Sequence, residues 1–390
     1  MGNENEKIDI IILSDNNHNT VGGEQESTKI ILQGLSDSDY KTAVIHPGLP
    51  GKNLENIKYF DLTPETRIKH VIKKPWSMIK YILDTKKIIK NTNPKVIHTQ
   101  AQVSFFIVAF LKRFYMIPKR FTFIHTERGL YLKYNLFFKR IFMFFMTQLD
   151  VLVTTTEYNM NCWESALNKK KIKSFQVIPN TAGLEFENFQ ENLKKRNDNE
   201  QKVIIGFAGR YCDWKNWPLA IEIIDSLNKK VGDRLEVRMA IGCLDEESKI
   251  ETNKMFRYLE KMLDKRFEGQ INISLSEMNL FYYDIDVFIL TSKKNTESFG
   301  RTLIEAMSRK NVVFTTPAGG SEEVVPSQKY VFYSVNELVE KITKLMSDSD
   351  LLEKSRDESF QHVKRQYSLK KNVDLHESLY KRIIDAGDSR

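Results

Sequence analysis

Two glutamates, Glu297 and Glu305, stand with seven residues between them in Thr296-Glu297-Ser298-Phe299-Gly300-Arg301-Thr302-Leu303-Ile304-Glu305-Ala306-Met307. Carboxylates accept hydrogen bonds, so such a pair can serve the two ends of one ligand. Upstream, Gly206-Phe207-Ala208-Gly209-Arg210-Tyr211-Cys212-Asp213-Trp214-Lys215 sets Arg210 five positions before Lys215, a planar fork and a point charge of the kind that hold phosphate groups. Val21-Gly22-Gly23-Glu24 offers glycines that let a ligand approach the backbone and amides that receive an anion. His125 closes the run Phe121-Thr122-Phe123-Ile124-His125, and His98 closes Lys95-Val96-Ile97-His98; lone histidines are more often structural than catalytic. Each feature alone has a plain alternative: a loop glutamate and a solvated helix glutamate, a surface Arg and Lys near a helix start, a Gly-Gly turn of structural purpose.

The elements that must position these residues are legible as alternating apolar runs and helical patterns. Residues 8–13 form a continuous apolar run, followed by a polar loop and a helical pattern through Ile30, Ile31 and Leu35, which reads as strand, loop, helix. Similar runs recur at 42–45, 96–98, 121–125 and 151–153, with helical stretches at 76–90 and 103–113. Short strands apolar on both faces predict a parallel sheet. The polar stretch 181–200 reads as a linker. A second series then begins, with strands at 203–208, 235–241, 271–274, 287–290 and 312–315 and helices that include 218–229 and 301–309. The fold class is α/β in two similar halves, and strand ends of open parallel sheets are where ligands bind.

Composition bounds the alternatives. A chain of 390 residues, 41% hydrophobic, is long enough for two domains. The formal charge of +8 permits anionic partners without choosing among them; no nucleic-acid-binding module accompanies it, so nucleic acid is not expected. Three widely spaced cysteines, Cys162, Cys212 and Cys243, suggest neither a disulfide framework nor a cysteine zinc site and fit a reducing cytoplasm. The N-terminus lacks the basic region and length of a secretory signal. The apolar stretch 103–111 is far short of the roughly 18–20 residues that cross a bilayer as a helix. No repeat or low-complexity tract appears.

The glutamate segment, with Phe-Gly between the acids and Ala-Met after the second, resembles the signature of retaining glycosyltransferases of family four, the group 1 glycosyltransferases. The resemblance extends to the strand-end Gly-Arg with Lys five positions on, to the glycine loop at 22–23, to His125, and to Thr316-Pro317-Ala318-Gly319-Gly320, where Ser321-Glu322 replaces the family's usual Ile-Pro. Matches run in the family's order from residue 8 to about 325. The resemblance implies the GT-B architecture: two Rossmann-like domains facing each other across a cleft, 1–180 on the acceptor side and 201–367 binding the nucleotide sugar, with a last helix at about 368–390 packing back on the first. It implies roles as well. Glu297 would accept hydrogen bonds from donor-sugar hydroxyls and Glu305 from the ribose. Eight residues at about 1.5 Å rise cover on the order of 12 Å, comparable to that separation. Ser298, Phe299, Gly300, Arg301, Thr302 and Leu303 would face sugar and diphosphate; Arg210 and Lys215 would stabilise the leaving diphosphate; Gly22 and Gly23 would lie over the phosphates; His125 would orient the sugar.

The expected reaction is transfer of a sugar, with retention and an α-linkage, from a nucleotide-diphosphate sugar, UDP-sugar favoured, to a glycan, lipid-linked or protein acceptor in cell-surface polysaccharide or glycoconjugate assembly. No cofactor or metal is expected, because two cations already clamp the leaving group; Asp284 and Asp286 read as a helix end and a strand start. Two rivals are a sugar-nucleotide epimerase of the same shape and a non-catalytic scaffolding subunit. Residues 112–146 interleave Lys and Arg with aromatics. Such a surface could lie on an anionic leaflet at the inner face of the cell membrane, whereas aromatics all around the helix fit burial in a core. The expected location is cytoplasmic, with or without that peripheral contact.

Overall fold

The computed structural model describes residues 7–18, 20, 23–48, 53–167, 172–194 and 202–388. Contacts divide the chain into two units, residues 1–180 with 369–390, and residues 181–368.

Unit 1 is built from β1 (Ile10–Leu13), α1 (Gly23–Ser36), β2 (Thr42–His46), β3 (Ile57–Asp61), α2 (Ile68–Ile72), α3 (Pro75–Thr92), β4 (Val96–Thr99), α4 (Gln102–Arg113), β5 (Thr122–Thr126), α5 (Leu136–Met146), β6 (Val151–Thr154), α6 (Glu157–Leu167) and β7 (Ser174–Val177). Its seven strands are ordered β3-β2-β1-β4-β5-β6-β7, and every pairing is parallel. Alternate residues of each strand serve opposite faces. Ile11, Leu13, Ile97, Phe123 and Leu152 pack with Phe105 and Phe142 of α4 and α5. Ile10, Ile12, Val44, Ile124 and Val153 face the other way, where they meet α1 and the last helix of the chain.

Unit 2 follows with β8 (Val203–Arg210), α7 (Trp217–Val231), β9 (Leu235–Gly242), α8 (Glu246–Leu263), β10 (Phe267–Ile271), α9 (Leu275–Asp284), β11 (Val287–Leu290), α10 (Arg301–Met307), β12 (Val312–Thr315), α11 (Ser321–Val324), α12 (Val335–Ser347) and α13 (Ser349–Gln366), before α14 (Leu369–Asp388) returns to unit 1. Its five strands are ordered β10-β9-β8-β11-β12, all parallel. Polar residues start several helices by receiving otherwise unpartnered amides: Asp245 and Ser274 form capping boxes on α8 and α9, and Ser334 and Asp348 cap α12 and α13.

Residues 181–194, read from the sequence as linker, belong by their contacts to unit 2. Phe186 lies in its core, and the buried Lys194 ammonium donates to Asn311 Oδ1 at 2.5 Å and to the Ile285 carbonyl. Burial pushes the Lys194 pKa down to about 7. Asp284 pairs with Arg238 at 3.0 Å and Asp286 with Arg356, so these carboxylates join a helix end and a strand start to neighbouring elements.

α14 closes the second face of the unit 1 sheet. Leu379, Tyr380 and Ile384 pack against it, and a side chain at Gly34 of α1 would collide with Val373 of α14, so glycine permits the two helices their close approach. Polar bonds fix the register. Tyr380 Oη lies 2.7 Å from His98 Nδ1, and the Asn372 amide donates to the Pro179 carbonyl at 2.6 Å. Among the described residues no helix is long and apolar enough to cross a membrane.

Candidate active site

Three adjacent strands of unit 2, β8, β11 and β12, send their carboxyl-end loops to one place. Lys215, in the loop after β8, extends its ammonium to Glu297 Oε1 at 2.8 Å, and Ser292 Oγ donates to the same oxygen at 2.6 Å. Both partners of the ion pair are about 13% exposed, so it stands at the rim of solvent. The loops are also knitted by their main chains. Lys293 N–H donates to the Trp214 carbonyl at 2.8 Å, Glu297 N–H to Ala318 at 2.9 Å, and Gly320 N–H to Glu297 at 2.9 Å. Residues from three sequence motifs therefore meet, separated by up to about a hundred positions in the chain. Arg210 ends β8 with its exposed guanidinium 5.5 Å from the Trp214 ring.

Gly300 sits at the N-cap of α10 with φ +94°. A side chain there would meet Leu303 Cδ1 at 3.1 Å and Ser321 Cβ at 3.3 Å in a conformation that disfavours any Cβ. Phe299 and Leu303 are buried, so their side chains anchor the loop in the core, while Ser298 stays half-buried. Thr302 Oγ1 is buried without a hydrogen-bond partner among the described residues. Ser321, at the family's Ile position, is buried and accepts a hydrogen bond from Thr315 at 3.1 Å.

Glu305 is held inside. Tyr282 O–H donates to its Oε2 at 3.0 Å, and Arg301 Nε lies 3.1 Å from Oε1. Burial raises the Glu305 carboxyl above its usual range, against the Arg301 charge and the Tyr282 hydrogen bond, which favour ionisation. Arg301 in turn donates to the Ala182 carbonyl at 2.9 Å.

In unit 1, His125 stands fully buried, one residue before the end of β5. Its Nδ1 faces Thr99 Oγ1 at 2.9 Å, and its Nε2 lies 3.4 Å from Glu127 Oε2. Glu127 accepts from Gly129 N–H at 2.5 Å and from Tyr134 O–H at 3.3 Å. The neighbouring His98 is equally buried, with Nε2 2.7 Å from Thr126 Oγ1. Gly23 is the first residue of α1, and Gly22 lies outside the described residues. The Glu24 carboxylate accepts from Ser14 O–H at 2.6 Å, Asp15 N–H at 3.1 Å and the Asn16 amide, stitching α1 to the loop after β1. Asp15 accepts from Val103 N–H at 2.8 Å and Ser104 N–H at 2.7 Å at the start of α4. Burial raises both carboxyls, and the Asp15 charge raises Glu24 further.

Four of these partners escaped the sequence reading. Glu127 stands two residues beyond His125 and Asp15 two beyond β1, so strand-end position could have raised them. Ser292, two beyond β11, stands at a strand end as well, whereas Tyr282 carries no such mark, because its role arises from a contact with Glu305 made only on folding.

Comparison with known proteins shows the family and the fold. Residues 188–362 match the family of glycosyl transferases group 1, and residues 21–185 match glycosyltransferase family 4. The phosphatidylinositol N-acetylglucosaminyltransferase GPI3 subunit of Saccharomyces cerevisiae is 24% identical over 238 residues, 57% of this chain and 49% of that protein; the chain thus spans about half the length of this relative. Among solved structures, sucrose-phosphate synthase from Thermosynechococcus elongatus superposes with a TM-score of 0.73 at 15% identity, covering 97% of this chain and 100% of the other. A glycosyltransferase from Rickettsia africae gives 0.72 at 19% identity, covering 97% and 99%. Anabaena HepE in complex with UDP-glucose gives 0.69 at 14% identity, covering 95% and 99%.

Proposed function

The chain belongs to the group 1 glycosyltransferases and has the GT-B fold, and from that premise we propose that it is a retaining enzyme moving a hexose from a UDP-sugar to a lipid-linked or other cell-surface acceptor. The observation that carries the reading is the Lys215–Glu297 contact at 2.8 Å, which unites a cation suited to phosphate with a carboxylate suited to sugar hydroxyls. The HepE complex with UDP-glucose supports a uracil donor, and the name of the yeast relative supports a lipid acceptor. The proposed location is cytoplasmic, peripheral at the inner face of the cell membrane.

The proposed reaction is a front-face substitution. The bond from the anomeric carbon to the diphosphate oxygen breaks, the acceptor oxygen bonds to that carbon on the same face, and the acceptor proton passes to the departing diphosphate. Arg210 and Lys215 hold the charge that builds on the diphosphate, a term commonly among the largest in such catalysis, and on this reading no metal is required. Glu297 holds sugar hydroxyls and, on donor entry, exchanges its bond to Lys215 for them. Glu305 binds the ribose, with Tyr282 and Arg301 fixing its carboxylate. Gly23 and His125 keep their proposed places over the phosphates and at the sugar by family likeness alone.

The test is a panel of UDP-, GDP- and ADP-sugars with purified protein, reading melting-temperature shift and nucleotide release, beside Glu297→Ala. One donor at a hundred times its Kd stabilises by about 2.7 kcal/mol, and release is lost in the variant. Stabilisation by no donor sinks the assignment; a donor returned as its free epimer makes the protein an epimerase.

A further inference from the structure

The helix α5 reads LFFKRIFMFFM, nine apolar residues in eleven, yet only Phe142 and Met146 are fully buried. An apolar helix inside a core buries its whole circumference. Here the outer side stays open, with Leu136 78%, Phe137 73% and Phe144 47% exposed. The patch continues onto the end of α4. The Arg113 guanidinium lies 4.9 Å from the Phe144 ring, Phe110 and Phe114 are 4.8 Å apart, and Tyr115 is exposed beyond them.

Charge is concentrated on the same stretch. Residues 112–146 contain eight Lys and Arg against one acid, Glu127, and so carry an excess of seven positive charges in a chain whose total is +8. Glu127 is buried beside His125 and Lys112 is buried against Asp150, so neither counts at the surface. Arg113, Lys119, Arg120, Lys133 and Arg140 are exposed around the apolar side chains.

We propose that the outer face of α5, with the end of α4, docks on an anionic lipid bilayer. Aromatic and aliphatic side chains enter the interface while Arg and Lys extend to the headgroups. A second copy of the chain is disfavoured as occupant, since it would set two strongly positive faces together. Single-stranded nucleic acid would use the charges and the rings, but it gives the protruding Leu136 no counterpart. A bilayer accepts all three features at once.

The placement deepens the proposal of a lipid-linked acceptor and rests on it for the acceptor alone. Tyr134, two residues before α5, donates to Glu127, the partner of His125. The first turn of α5 therefore lies at the same end of the unit 1 sheet as the strand-end loops, and a docked α5 brings those loops to the headgroup plane where a lipid acceptor presents its sugar or hydroxyl.

The experiment is co-sedimentation of the full chain with vesicles of phosphatidylcholine alone or of phosphatidylcholine with phosphatidylglycerol. Wild type is expected to pellet with the anionic vesicles, to be released by salt, and to stay in solution with the neutral ones. Each Arg near an anionic surface contributes about fivefold, so Arg113→Ala with Arg140→Ala lowers partition by roughly twenty-five-fold. Leu136→Ser with Phe137→Ser lowers it by about tenfold or more. These side chains are exposed, and unchanged melting temperatures show that both variants fold. Failure to pellet with anionic vesicles, pelleting unaffected by both pairs of substitutions, or retention by a single-stranded oligonucleotide in place of vesicles would each overturn the proposal. Vesicle binding involves no donor and no transfer, so a protein that docks but binds no nucleotide sugar refutes the enzymatic reading and leaves the surface standing.

Discussion

Acid should loosen α14 from unit 1 through His376. That imidazole is fully buried, its Nδ1 2.9 Å from the Asn372 carbonyl and its ring 6.1 Å from that of His98. Burial pushes its pKa from 6.5 down to about 4, and the Arg128 charge adds to the shift. A base whose folded pKa is depressed binds fewer protons in the native state, so the stability it contributes is complete above 6.5 and is lost as pH falls toward 4. For those two values the loss between pH 7.5 and pH 4.5 is about 2.5 kcal/mol, or roughly seventy-fold in the undocking equilibrium. His98, held well below its usual range chiefly by burial, acts in the same direction. Asp15 and Glu24 act in the opposite direction, because raised carboxyl pKa values favour the native state as pH falls through them. The assay is therefore differential: hydrogen exchange of α14 amides at pH 7.5 and 4.5, corrected for intrinsic rates, in wild type and His376→Gln. Wild type should lose about seventy-fold more protection than the variant over that interval. Equal losses in both proteins would refute the assignment to His376.

Three other outcomes are expected. Tyr282→Phe removes a hydrogen bond to a buried carboxylate and should lower the stability of unit 2 by about 1–3 kcal/mol; it also removes a contact that favours ionised Glu305, so donor affinity should begin to fail at higher pH, checked by melting and by donor Kd against pH. Lys215→Ala should reduce nucleotide release at saturating donor by on the order of 10²–10³-fold, as loss of a preorganised charge at the leaving group does, whereas a change in KM alone would confine Lys215 to binding. Lys194, depressed to about 7 by burial, binds fewer protons folded than unfolded between pH 7 and 10.5, so unit 2 should gain about 2 kcal/mol from pH 7 to pH 9; Lys194→Met should abolish that gain in denaturant titrations at the two pH values.

The sequence disclosed the fully buried strands, the edge strand β12 among them, and little of the half-buried ones at the sheet edges. β1 and β6, IIIL and VLVT, are apolar over three or four residues because helices cover them above and below. β3 and β7, IKYFD and SFQV, lie at opposite edges and are mostly half-buried, so their composition carries no apolar run to read. The polar composition of 181–194 likewise hid Ala182, Phe186 and Lys194, three widely spaced residues that fasten this segment to unit 2. The all-round apolar character of α5 was legible, but its open outer side was not, since composition cannot show what a neighbouring helix leaves uncovered. The motif residues of unit 2 were read from strand-end position. Of the side chains that hold them, Ser292 shares the loop of Glu297, whereas Tyr282 comes from α9 and reaches Glu305 only on folding.

The return of α14 to unit 1 also orders events during synthesis. The sheet of unit 1 emerges first, but the helix that covers Ile10, Ile12, Val44 and Ile124 is encoded after all of residues 181–368. At on the order of 5–20 residues per second, 188 residues occupy the ribosome for roughly 10–40 seconds. Throughout that interval the nascent first unit presents an apolar face covered in part, by α1 alone, whereas the second unit, continuous in sequence, can complete its core as it leaves the exit tunnel. Unit 1 is thus begun before unit 2 and finished after it, and its partly open sheet is the surface on which a holding chaperone would act.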